Sequence, residues 1–77
     1  MNSNLTLRER HRAIAAILEA RFSVRAYEDV RRANVEFWDS ERNDIARGIY
    51  GEAMREKQRL AAASDMELLA AFASART

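Results

Sequence analysis

The sequence predicts an all-α fold, a small bundle of three to four helices completed by self-association. Three observations lead there. Proline is absent and glycine occurs only twice, while the helix formers alanine, leucine, arginine and glutamate dominate. Apolar residues recur at helical spacing along most of the chain. The chain has 77 residues and no cysteine. It therefore makes one domain, residues 1–77, of a size that buries only about 60% of its unfolded surface. Small scaffolds lean on disulfides, a metal or a partner chain. Disulfides are excluded, and the single histidine, His11, makes no zinc site. A second copy is the remaining support, so a homo-oligomer is expected, a dimer first.

The first helix is expected over Leu7–Phe22. Thr6 and Glu9 form a T-x-x-E capping box at its start. Leu7, His11, Ile14, Ile17, Leu18 and Phe22 share one face at about 100° per residue. Residues 1–5 before it, and 76–77 at the other end, are expected to lie loose.

A second helix is expected over Val24–Trp38. Ser23 can cap it, with Phe22 and Tyr27 as a hydrophobic staple, although nothing in the sequence forces a break there. Its apolar face is Ala26, Tyr27, Val30, Ala33, Phe37 and Trp38. Phe37 is expected in the core and Trp38 at its border, where tryptophan makes a good interface anchor. Asn34 and Glu41 lie close to the apolar sector. They read as edge and turn residues, or as polar groups that fix helix pairing.

The third helix is expected over Ile45–Ala63. Its stripe of Ile45, Ala46, Ile49, Tyr50, Ala53, Met54, Leu60 and Ala61 is nearly half a helical turn out of phase with the preceding one, so the chain must turn between Trp38 and Gly51. The polar run Asp39–Asp44 and the Gly48–Gly51 segment compete for that turn, and the polar run is favoured. The glycines then lie on the outer side of the helix, leaving a strip that another backbone can approach. The stretch Ser23–Met54 holds most of the aromatic rings and both glycines. The other segments are expected to pack onto it.

The last helix, Asp65–Ala75, starts at an S-x-x-E capping box, Ser64 and Glu67. It is apolar nearly all round, the pattern of a helix covered on several sides. A chain this short has little protein to cover it, so Met66, Leu68, Leu69 and Phe72 are expected to form an oligomer interface.

The charge is balanced, 13 basic against 12 acidic residues. No global field draws the chain to nucleic acid or membrane. Lys57 is the sole lysine. Arg8, Arg10 and Arg12 are candidate phosphate contacts, and arginines clustered by oligomerisation are the basis of an alternative reading as a nucleic-acid- or nucleotide-binding protein. Acidic residues interrupt every basic cluster, and no helix-turn-helix signature is present.

There is no glycine-rich phosphate loop and no G-x-S-x-G, and His11 lacks an orienting carboxylate. Neither catalysis, nor a cofactor, nor a metal is expected. No apolar leader follows Met1, and the longest apolar runs fall far short of the ~20 residues of a membrane span. A cytoplasmic protein is expected. The composition suits a small accessory protein of the bacterial or phage kind. The reading is a non-enzymatic interaction module, of the inhibitor or adaptor type, that blocks or recruits a larger protein. Its partner-binding residues are expected to be Trp38, Tyr50, Gly48, Gly51, Arg55 and Arg59.

Overall fold

A computed structural model describes residues 5–76. Among them are five α-helices and no strand: α1 (Leu7–Phe22), α2 (Val24–Ala33), α3 (Val35–Asp39), α4 (Asp44–Ala62) and α5 (Asp65–Ala75), with a 3-10 turn over Glu41–Asn43. The molecule is elongated, 50 × 20 × 20 Å. The long helix α4 is its spine. α1 and α5 pack together at the C-terminal half of α4, while α2 and α3 lie towards its N-terminal half.

The predicted capping box at Thr6 forms in full, and the one at Ser64 forms in half, with no bond from the Ser64 N–H back to the Glu67 carboxylate. The Thr6 hydroxyl accepts the Glu9 N–H at 3.1 Å while the Glu9 carboxylate accepts the Thr6 N–H. Ser64 Oγ accepts the Glu67 N–H at 3.2 Å. The α1–α2 break does fall at Ser23, but by another route than a serine cap. Ser23 sits in the left-handed region, φ 53° and ψ 45°, and its side chain caps nothing. The exposed N-terminus of α2 is served by Glu19, whose carboxylate accepts the Arg25 N–H at 2.9 Å.

A further break, absent from the sequence reading, splits the expected second helix at Asn34. Its backbone is extended (φ −155°, ψ 92°) and its side chain accepts the Phe37 N–H at 2.9 Å, capping α3. This re-aims the two rings that follow. Trp38 turns inward and is 6% exposed, whereas Phe37 is 50% exposed, the reverse of the expectation. Trp38 stands edge-on between Tyr27 and Tyr50, at 6.4 and 5.7 Å between ring centres.

The chain reverses in the polar run. Ser40 Oγ and Asn43 Nδ2 both donate to the Phe37 carbonyl, closing the end of α3. Both glycines lie inside α4.

The main core is aliphatic and comes from α1, α4 and α5: Ile14, Ile17, Leu18, Ala53, Leu60 and Leu68, joined by Val24 at the start of α2. The aromatic stretch is therefore not the centre onto which the rest packs. Its rings form a satellite at one end, and Tyr50 links the two by touching both the core and Trp38. Ile17, Leu60 and Leu68 are fully enclosed. Truncating any of these to alanine would cost about 2–5 kcal/mol, a large part of the ~4–12 kcal/mol expected for a chain of this size.

One cluster of polar contacts ties the three main helices together. α4 ends without a glycine cap; the Ala63 N–H returns to the Leu60 carbonyl at 3.1 Å, and the carbonyls beyond it have no partner in the helix. Arg10, from α1, reaches across. Its guanidinium donates to the Ala63 carbonyl at 2.6 Å, lies within 3.5 Å of the Leu60 and Ala61 carbonyls, and also pairs with the Asp65 carboxylate at the start of α5. The other Asp65 oxygen accepts the Leu5 N–H at 2.8 Å. Leu5 is thus anchored and packs on the core, and Arg76 closes α5 with its guanidinium 5.3 Å over the Phe72 ring. Residues 1–4 and 77 lie outside the described residues.

The Leu5 N–H, and then the Arg10 guanidinium, hold the Asp65 carboxyl below its ordinary range. Glu9 is lowered by its cap bonds to Thr6, and Glu56 by its hydrogen bond from Arg59.

Two predictions follow from these geometries. A side chain in the left-handed region costs roughly 1–2 kcal/mol, partly offset by the greater freedom of an unfolded glycine. Ser23→Gly should therefore raise stability by about 0.5–1 kcal/mol, seen as a higher melting temperature by circular dichroism. A lower melt would mean that the hydroxyl is needed. For the lowered carboxylates, the folded state favours the charged form. Their contribution is complete above the ordinary carboxylate pKa of about 4 and is lost as pH falls through the folded values. The melting temperature should drop as pH falls below about 4. Asp65→Asn should melt lower at neutral pH and show a shallower acid fall, because Glu9 and Glu56 still titrate. An acid fall of unchanged steepness would exclude Asp65 as a source.

Candidate interaction surfaces

The clasp at Arg10 decides how α5 meets α1, and with it which face of α5 is left outside. Leu68, Ala71, Phe72 and Ala75 turn inward onto the core. Met66, Leu69, Ala70 and Ala73 are exposed, Met66 at 74% and Leu69 at 40%. Their spacing, i, i+3, i+4 and i+7, places them on one continuous stripe. No charged side chain interrupts it. Of the four expected interface residues, Met66 and Leu69 are on this outer face and Phe72 is half-buried. Leu68 is fully enclosed in its own protomer and leaves the set, because it fills the space between α5 and the other core helices. Ala70 and Ala73 complete the stripe. The sequence pattern contains them, but they stand out only once the inward face is known.

The second surface is the outer side of α4. Gly48, Gly51, Arg55 and Arg59 share it, with Ile45 one turn earlier and 79% exposed. A Cβ added at either glycine would meet nothing within 4 Å. Nothing inside the protomer requires a glycine at these positions. Arg55 is exposed; Arg59 is held by Glu56, which also lies 3.6 Å from Arg21 of α1. The Glu56 hydrogen bond raises the Arg59 pKa. Trp38 and Tyr50 do not belong to this surface. Trp38 is buried and Tyr50 is half-buried beneath it, so the predicted anchor is a core residue. Phe37, which the sequence reading placed in the core, is the ring offered to solvent.

The basic cluster of α1 comes apart. Arg10 points across to α4 and α5 and spends its donors on Asp65 and backbone carbonyls. It is not free to hold a phosphate. Arg8 and Arg12 lie exposed, one turn apart, on another side of α1. His11 lines the edge of an open groove of about 700 Å³ between α1, α2 and α4, with Ile14, Leu18 and Met54 among its apolar walls and Glu19, Glu28 and Lys57 among its charged ones. Among the described residues, no group of three or more potential ligands is placed to hold a metal ion, and no helix is long and apolar enough to cross a membrane. Compared with protein-family models, with curated proteins and with solved structures, the chain matches none.

Proposed function

We propose that the chain is a non-enzymatic helical interaction module, a small accessory protein that pairs with a second copy through α5 and binds a larger protein, which it blocks or recruits. The observation that carries this reading is the outer stripe of α5, four apolar residues exposed in a row without a charge among them. Apolar residues scattered singly over a surface are ordinary; a contiguous run marks a contact. The outer side of α4 supports a second contact. Two glycines inside a helix cost about 1 kcal/mol each relative to alanine. The protomer gains no packing from them, so close approach by another backbone is the reason assigned to them. Ile45 and Arg55 would flank that approach.

Each contact has its own test. Light scattering coupled to chromatography should give twice the 8.8 kDa mass of one chain. Leu69→Glu should reduce it to one, whereas an unchanged mass would move the self-contact away from α5. Gly48→Ala with Gly51→Ala should stabilise the protomer by about 2 kcal/mol together. It should also lose partners captured from native-host lysate and identified by mass spectrometry. Stabilisation with capture intact would exclude the glycine strip as the partner surface.

A further inference from the structure

We infer that the groove between α1, α2 and α4 binds a single-chain amphiphile with an anionic head, the chemistry of a medium-chain carboxylate. This face is separate from the two proposed for protein contacts, and the inference does not rest on them. The groove holds about 700 Å³, within the range of small-ligand sites. Ile14 and Leu18 of α1, Val24 of α2 and Met54 of α4 give it an apolar floor. All four also pack in or against the main core, so the protomer itself holds the floor in place.

The charges around that floor are polarised. At one end the groove opens onto a shelf of α1 lined by Leu7, Arg8, His11, Arg12 and Ala15, with His11 and Ala15 common to both. No acid lines the shelf. Glu9 is in the same stretch of sequence, but its carboxylate turns back to the Thr6 N–H. Arg8 and Arg12 are exposed and make no ion pair among the described residues. Lys57, also unpaired, extends the basic end along the α4 wall. Arg10 meets Ala63 and Arg21 meets Glu56, so α4 runs antiparallel to α1 and sets Lys57 nearer the shelf than Met54. At the far end stand Glu19 and Glu28 against one arginine, Arg25.

An anionic head is therefore drawn to the shelf and turned away from the far end. The chain behind it covers the floor. A free guanidinium can hold a carboxylate through two hydrogen bonds, which gives Arg8 and Arg12 a use that Arg10, spent inside the protomer, does not share. From Arg12 to Glu19 the helix advances about 10 Å, which suits a chain of medium length.

Isothermal titration of the full chain with sodium octanoate, sodium decanoate and decyltrimethylammonium bromide, each below its micelle concentration, tests this. Decanoate should bind, and octanoate about tenfold more weakly, because each buried methylene is worth about fourfold. The ammonium amphiphile should bind at least about tenfold more weakly than decanoate. Methyl NMR should show decanoate shifting Ile14, Leu18 and Met54. Arg8→Glu with Arg12→Glu should weaken decanoate about tenfold or more while circular dichroism shows the helices intact. Equal binding of the two head groups, or a double variant that binds as before, would overturn the inference. Shifts centred on Met66 and Leu69 would move the amphiphile to α5 and overturn it too. So would groove methyls that shift with protein concentration alone, since a second copy would then be the occupant. No response at about 1 mM decanoate, where even a weak specific site fills, would likewise end it.

Discussion

Arg10 is the contact on which the arrangement of the other parts depends. The link between α4 and α5 is only Ala63 and Ser64, and α4 ends without a glycine or a free basic side chain to satisfy its last carbonyls. Arg10 supplies those donors from a different helix. Its planar fork can serve the carbonyls and the Asp65 carboxylate at once, which a lysine ammonium could not do as well. The clasp therefore holds the end of α4, the start of α5 and the first turns of α1 in one geometry. The two faces of α5 follow from it. Turn α5 by half a helical turn and Met66 and Leu69 would fill the core, leaving Leu68 and Phe72 outside. The exposed surface is a product of this buried-edge contact, and not simply of an apolar sequence.

The same residue shows where reading a sequence reaches its limit. Arg10 reads locally as one of three basic residues on a helix. Its partners lie 50 to 55 positions away, and no local spacing reveals them. The capping box at Thr6 and the serine cap at Ser64 were legible because every bond in them spans three residues. The turn at Asp39–Asp44 was legible because two stripes out of phase cannot share one straight helix. Asn34 was not. It carries half of a capping signature, a side-chain acceptor for Phe37 but no Glu or Gln at that position to reach back. A stripe continuing through it looked unbroken. Missing that break exchanged the roles of Phe37 and Trp38, since a change in helix direction resets which neighbours face inward. Ser23 was found as a boundary, but its left-handed backbone has no signature in a serine.

The outer stripe of α5 carries a hazard. With a net charge of +1, the chain has little electrostatic repulsion to keep copies apart. The open groove between α1, α2 and α4 also has apolar walls. If the stripe of one copy entered the groove of the next, the contact would be head-to-tail, and unless a ring closed it could repeat without end. A stripe that pairs with itself saturates at two. The groove carries charged side chains that an uncharged stripe would strip of water without replacing. The charges lining the groove thus turn an uncharged stripe away from it.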